Sequence, residues 1–228
     1  MTNDLLIVHH LGRSQSERIV WLCEELGLDY ELKRYERRKD NWLGPPEYKA
    51  LHPMGSAPII NDGRRVLGES GAIVEYLIAT RGDGRLASKP GEPEFGDYLY
   101  WFHFANGTLQ PLVLQVRSLE RVDPSGQNSV LLAAKARFNF VFSLVDDRLG
   151  KTAYLAGPEL TAADIMTVFT LTTMRLFKPY DLSPWPNILA YLQRIGARPA
   201  YQRAMQKADP DLTPLLAATS GPSANQVS

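Results

Sequence analysis

The stretch DLLIVHHLGRSQSERIVWLCEELGLDYELKRY, residues 4–35, decides the first half of the fold. DLLIV, residues 4–8, is a short apolar run behind a charge and reads as a buried strand. In SERIVWLCEELG, Ile19, Leu22, Cys23 and Leu26 recur at i, i+3, i+4 and i+7, one face of a helix, and Gly27 stops it. YELKRY sets Tyr30 and Leu32 against charged neighbours, which suits a second strand. A helical crossover between the two predicts that they run parallel. Ser14-x-x-Glu17 has the spacing of a capping box, which explains Ser14 structurally. The same hydroxyl, at the mouth of a helix N-terminus, is placed to donate to an anion, and Ser16 competes for both roles. His9 and His10 read as structural or solvated groups at the end of the first strand. The sequence marks no acid partner for them and holds no G-x-S-x-G elbow, so a hydrolase nucleophile is not expected.

Working outward, LGPPEYKALHPMG holds a short helix at most. APII and RRVLGE form a hairpin around Asn61-Asp62-Gly63. ESGAIVEYLIATRG begins a helix with Ser70 as N-cap and carries Ile73, Tyr76 and Leu77 on one face. The order β-α-β-loop-β-β-α predicts an α/β unit over residues 1–81 with a mixed sheet. RGDGRLASKPGEPE reads as linker, placed at 82–93. Strand signals then stop, and residues 94–212 read as an all-helical unit. Its first helix has a kink expected at Pro111. A stripe of Leu131, Ala134, Phe138, Val141, Phe142, Val145 and Leu149 marks a later helix. Tyr98, Trp101, Phe102 and Phe104 are dense enough to predict that some of these rings line a cleft for an apolar ligand. Residues 213–228 read as a disordered tail.

Composition narrows the function. The 228 residues hold 25 Lys plus Arg and 25 Asp plus Glu, so a zero formal charge gives no reason to expect nucleic acid or an anionic membrane as partner. Arg37-Arg38-Lys39 lies between Glu36 and Asp40 and reads as a solvated loop. A single cysteine, Cys23, permits no internal disulfide, no CxxC pair and no thiolate metal cage, and on the helix's apolar face it reads as core. With no apolar run of spanning length, a cytoplasmic soluble protein without a metal site is expected.

Three further motifs carry chemistry. Pro58 opens a strand. A cis Ala57-Pro58 bond there would leave the Ala57 backbone free to pair with an extended ligand, but taken alone the residues favour an ordinary edge-strand proline. In Gly68-Glu69-Ser70, a helix N-terminus beside a carboxylate suits a zwitterion, with a plain cap as the alternative. Thr161-x-x-Asp164 is a second capping box and reads as structural.

In this order, RSQSERIVWLCEELGLDYEL, LHPMGSAPII, LGESGAIVEYL and LTAADI resemble the cytosolic glutathione transferases, from Leu5 to about Lys207. The wording of SERIVWLCEELG and HPMGSAPII is most similar to a fungal and bacterial subgroup. The resemblance implies a thioredoxin-like first domain and an all-helical second one. It implies conjugation of glutathione, as co-substrate, to small apolar electrophiles, in a homodimer, with no metal or other cofactor. By position it implies that Ser14 hydrogen-bonds the glutathione sulfur, with Ser16 the alternative. It likewise implies that Ala57 pairs with the cysteinyl unit, that Pro58 is the cis proline, and that Glu69 and Ser70 hold the γ-glutamyl end. Ser56 stands where many relatives carry a long polar residue near the glycyl end, and Lys39, Asn41 and Trp42 are candidate substitutes. The position of Cys23 disfavours thiol transfer, and no tyrosine ends the first strand. Glutathione-dependent peroxide reduction and non-catalytic ligand binding are the rival readings. Ser14, Glu69 and Ser70 together favour an enzyme.

Overall fold

The first apolar run forms β1, Ile7–Leu11, which begins later than its hydrophobic residues suggest and takes in both histidines. They can sit inside the sheet because each finds a polar partner there: His9 Nδ1 lies 3.0 Å from Tyr35 Oη, and His10 meets Ser16 and Asp209. The computed structural model describes residues 5–63 and 65–219. The expectations for Asp4, Arg64 and residues 220–228 lie outside the described residues.

After β1 come α1 (Glu17–Leu26), β2 (Glu31–Tyr35), a single-turn α2 (Pro46–Lys49), β3 (Ile59–Asn61), β4 (Val66–Leu67) and α3 (Ser70–Arg81). The sheet order is β2-β1-β3-β4. β1 and β2 are parallel, as the helical crossover predicts, while β1–β3 and β3–β4 are antiparallel. Gly27 ends α1 in the left-handed conformation, with φ 61° and its N–H on Cys23 O. Tyr76 departs from the expected apolar face of α3. Its hydroxyl donates to Asp62 in the β3–β4 turn, and Ile73, Val74, Leu77 and Ile78 make the buried face instead.

The chain divides into two compact units, and they do not follow a single cut in sequence. Residues up to Ala87 join Gly196–Pro214, while the second unit takes Ser88–Ile195 and the residues from Leu215. The sequence reading assigns 196–212 to the helical half. Its helix α9 (Pro199–Ala208) packs instead on α1. Trp21 meets Tyr201 edge-on at 5.0 Å, and Arg198 forks onto Glu25 at 2.8 and 2.9 Å. Arg203 and Lys207 both reach Glu24. Helical periodicity identifies a helix but not which core its apolar face joins.

The second unit is helical among its described residues. It comprises α4 (Phe95–Phe104), α5 (Gln110–Val122), α6 (Ser129–Leu149), α7 (Ala162–Leu171) and α8 (Pro186–Gly196). The kink expected at Pro111 is a π-helical turn, Ala105–Leu109, joining α4 to α5. A proline ring clashes with the carbonyl four residues back, and the wider turn relieves that clash. All seven residues of the α6 stripe are buried. Part of the expected tail is held: Arg175 donates to the carbonyls of Leu215, Ala217 and Ala218, and Leu182 N–H also bonds Ala218 O. The ring-cluster expectation narrows to one ring. Tyr98, Trp101, Phe102 and Phe104 are all core. A surface concavity in this unit is lined by Leu99, Tyr100, His103, Phe140 and Val141, and of the four rings only Phe104 reaches it. Among the described residues, no helix is long and apolar enough to cross a membrane.

Candidate active site

The turn between β1 and α1 holds Ser14, and it is tightly built. Arg13 takes φ 53°, a conformation a non-glycine residue enters at a cost of about 1–3 kcal/mol unless its surroundings impose it. Here they do. The Arg13 N–H donates to both oxygens of Asp209, at 3.0 and 3.2 Å, and Arg37 donates to Gly12 O at 2.7 Å and to Arg13 O at 3.2 Å. Arg37 also donates to Trp42 O at 2.6 Å. It therefore leaves the solvated loop in which the sequence reading puts it, and burial pushes its guanidinium below the usual range. Arg38 does stay outside, paired with Asp40.

The capping box expected at Ser14 and Glu17 is not what forms. The helix opens with Ser16 at the N-cap, in helical geometry and without a side-chain cap bond. Ser14 Oγ instead accepts from Ser16 N–H at 3.2 Å and lies 2.7 Å from Ser16 Oγ. Ser16 Oγ lies 2.9 Å from His10 Nδ1 and accepts from Leu11 N–H at 3.1 Å. His10 Nε2 lies 3.1 Å from Asp209 Oδ2. Ser14 retains 4% of its exposure, whereas Ser16 and His10 have none. Burial works to raise the Asp209 carboxyl, but the hydrogen bonds from His10 and the Arg13 backbone N–H, with the Arg13 charge, outweigh it and hold the group below the usual carboxylate range.

The Glu69-Ser70 pair opens α3. The cap position belongs to Glu69, with φ 66° and ψ 113°, and Ser70 is the first helical residue rather than the cap. Glu69 is exposed and Ser70 buried. Ser70 Oγ accepts from Arg18 at 3.2 Å, and the same guanidinium nitrogen donates to Gln15 Oε1 at 2.7 Å. Arg18 thus ties the Ser14 turn to the start of α3. It is fully buried, and desolvation pushes it down to about 9, with Glu17 opposing part of that shift. A desolvated cation beside a helix N-terminus concentrates positive potential at the Ser70 end.

The Ala57-Pro58 bond is cis. The β1–β3 ladder ends at His9–Ile59, so Ala57 lies beyond its last pair, where it packs on Leu11, Tyr48 and Ile59. Ser56 is exposed. Of the substitutes considered for the glycyl end, Lys39 is exposed and Asn41 Oδ1 is engaged by Leu43 N–H at 2.9 Å. The Trp42 ring lies under the Arg13 guanidinium at 5.5 Å. Cys23 is fully buried and burial pushes its thiol up to about 12, so it is no nucleophile.

The sequence reading missed Gln15, Arg18, Arg37 and Asp209 as site residues, and left His10 without a partner. Arg18 had a signal, a lone cation inside an apolar helical run. Asp209 had none, because it meets His10 across 199 residues of chain.

A family model for the glutathione S-transferase N-terminal domain matches residues 13–80, and one for the C-terminal domain matches 109–199. Glutathione S-transferase 3 of Schizosaccharomyces pombe is 30% identical over 220 residues, covering 90% of this chain and 88% of its own. The crystal structure of a glutathione S-transferase from Actinobacillus pleuropneumoniae superposes with a TM-score of 0.82 at 33% identity, over 90% of this chain and 93% of that one. The glutathione transferase URE2P8 of Phanerochaete chrysosporium, solved with oxidized glutathione, shares the fold at TM-score 0.70 and 23% identity, over 91% and 96%. With a thioredoxin-like first unit, a helical second one and relatives matching nearly end to end, the chain belongs to the glutathione S-transferase family.

Proposed function

We propose that the protein transfers the thiolate of glutathione to small apolar electrophiles, a detoxifying conjugation carried out by a cytoplasmic homodimer. The observation that carries the reading is the Ser14 hydroxyl, held at the mouth of α1 by Ser16 and just accessible. Ser16 lies deeper and supports Ser14 rather than replacing it. The γ-glutamyl carboxylate is received at Ser70, whose Arg18 contact supplies positive charge, and the ammonium lies at exposed Glu69. The Ala57 backbone, beyond the β1–β3 ladder, pairs with the cysteinyl unit, with Pro58 fixing the bend and Ser56 at the glycyl end. No cofactor beyond the co-substrate enters the step. Because Cys23 is buried, thiol chemistry runs on the sulfur of glutathione. Exposed Leu99, Tyr100, Leu132 and Phe140 on the helical unit support dimerisation. Light scattering of the full chain checks it, and a monomer at working concentration refutes it.

The energetics are sufficient. A free thiol has a pKa of about 8.5, and lowering it by about two units requires roughly 2.7 kcal/mol of preference for the thiolate. One hydrogen bond to a charged group contributes about 1.5–3 kcal/mol and a helix N-terminus about 0.3–1. Ser14→Ala should therefore lower kcat about ten- to a hundredfold at neutral pH, with partial recovery in alkali where solvent ionises the thiol. The check is a pH–rate profile with the thiolate absorbance of bound glutathione read in parallel. An unchanged bound-thiol pKa would leave Ser14 a structural residue. A panel of electrophiles and hydroperoxides separates transfer from peroxide reduction.

A further inference from the structure

We propose that His10, backed by Asp209, receives the proton that leaves the glutathione thiol, passed inward through the hydroxyls of Ser14 and Ser16. The inference rests on the reading of Ser14 as the residue that meets the sulfur. It goes beyond that reading by saying where the proton goes.

Hydrogen-bond accounting around the turn orders the hydroxyls when His10 is neutral. An ionised carboxylate can only accept, so the 3.1 Å contact to Asp209 fixes the hydrogen of a neutral His10 on Nε2. Nδ1 is then a bare acceptor, and the hydroxyl that meets it is Ser16, at 2.9 Å. Ser16 therefore donates inward to His10. The carbonyl of Leu11, at 3.4 Å, is a longer and weaker alternative acceptor. One lone pair of Ser16 is occupied by Leu11 N–H at 3.1 Å, and the other is available to Ser14 at 2.7 Å. Ser14 must then donate inward as well. Its oxygen accepts Ser16 N–H at 3.2 Å and keeps one lone pair facing outward. In this resting state Ser14 offers a thiolate no hydrogen. It offers a thiol an acceptor.

The transfer balances. The S–H bond breaks and its proton joins Ser14 Oγ. The hydrogen of Ser14 moves to Ser16 Oγ, and that of Ser16 moves to His10 Nδ1. The sulfur keeps the electron pair as thiolate, both serines end neutral, and the imidazole becomes an imidazolium facing the Asp209 carboxylate. The three bonds from the sulfur to His10 Nδ1 are retained with their directions reversed, while His10 Nε2–H still donates to Asp209, so Ser14 now donates to the newly formed thiolate. The donor that stabilises the product is created by the same transfer that forms it.

An imidazolium at His10 would face one carboxylate directly, with guanidinium groups further out. Asp209, after α9, contacts it directly, and the charges of Arg13 and Arg37 both act on Asp209. Arg34 stands opposite His10 in the β2 register with its side chain exposed. α1, which packs on β1, brings Glu17 and Arg18 in its first turn.

The test uses the unmodified protein. Glutathione binding is followed by calorimetry in buffers of different ionisation enthalpy, which counts protons released, and by nitrogen NMR of the His10 ring. Thiolate absorbance should appear with no net proton released, while the ring moves to the imidazolium position. S-methylglutathione, which has no thiol proton, should leave the ring neutral. In His10→Asn and Asp209→Asn, any thiolate that forms should release a whole proton to the buffer. Release of a whole proton by the unmodified protein, with a neutral ring, overturns the relay. Ser14→Ala separates the two readings. Thiolate that persists in Ser14→Ala defeats the assignment of Ser14. Thiolate that is lost there, while His10 never charges in the unmodified protein, defeats only the relay.

Discussion

Two helix N-termini in this chain carry the same short signature and reach different ends. At α7 the signature Thr161-x-x-Asp164 folds as a capping box, with Asp164 Oδ2 accepting Thr161 N–H at 2.9 Å. Asp164 Oδ1 also takes Leu155 N–H at 2.9 Å and Tyr191 Oη–H at 3.0 Å. That carboxylate is occupied on every side, and the hydroxyl beside it is part of a closed structure. At α1 the signature Ser14-x-x-Glu17 does not close. Its serines turn toward a histidine from the sheet, and the buried carboxylate that completes the network comes from the far end of the chain. A cap that satisfies itself locally is structural, whereas one left open to a side-chain base can do chemistry.

The sharpest way to break that contrast is to remove Asp164. In Asp164→Ala the buried Leu155 N–H and Tyr191 Oη–H lose their acceptor, at about 1–3 kcal/mol each, and the half-buried Thr161 donors lose theirs as well, so a destabilisation of about 3 kcal/mol or more is expected. Ser14→Ala removes only the acceptor of Ser16 N–H and one hydroxyl contact, and should cost about 1 kcal/mol of stability while taking most of the activity. Denaturant titration of both variants measures the pair. Equal costs would mean that the two N-termini do the same work.

What the sequence could and could not reveal follows from the same contrast. The βαβ order, the hairpin and the α6 stripe rest on local signals such as periodicity and turn residues, and were legible, whereas the cis Ala57-Pro58 bond was implied only by the family resemblance, because an edge-strand proline explains the same residues. Thr161–Asp164 was legible because both partners lie within one turn. Ser14, Glu69 and Ser70 were legible as a motif, but not the fact that Glu69 rather than Ser70 takes the cap position, since that depends on a backbone φ of 66°. The joining of α9 to α1, the burial of Arg37 and the partnership of His10 with Asp209 depend on contacts between distant segments. No periodicity encodes which of two cores an amphipathic helix enters. A polar residue in a strand looks solvated until its partner arrives from elsewhere.

The two buried carboxylates also titrate in opposite senses. Asp209, once folded, lies below the ordinary range, so its ionised form supports folding. That stability is present above the ordinary Asp pKa of about 3.9 and is lost as the pH falls through the folded value. Asp164 is raised by burial, against the bonds from Leu155, Thr161 and Tyr191. Its charge therefore costs stability at neutral pH, and the cost is relieved as the pH falls through the folded value toward the ordinary one. The stability gap between wild type and Asp209→Asn should shrink in acid, and the gap to Asp164→Asn should widen over its window. Parallel denaturation series across pH read both gaps, and gaps that move together would remove the electrostatic difference between the two sites.

The smallest effect belongs to the Thr161 hydroxyl. An N-cap hydroxyl is worth about 0.5–2 kcal/mol, and Thr161→Ala should fall at the lower end, about 1 kcal/mol or less. The reason is geometric. The hydroxyl accepts the Asp164 N–H in the capping box and its contact to the Asp164 carboxylate is long, at 3.3 Å, while the bond from Thr161 N–H to that carboxylate, at 2.9 Å, survives the substitution. α7 is buried along its whole length, so packing maintains the helix when its cap is trimmed. Thr161→Ser, which keeps the oxygen, should be closer to wild type. Thermal melts of the two variants decide the matter. If Thr161→Ala costs as much as Asp164→Ala, the hydroxyl rather than the carboxylate holds this N-terminus. The closed cap at α7 and the open one at α1 would then differ only in their neighbours, not in how they are built.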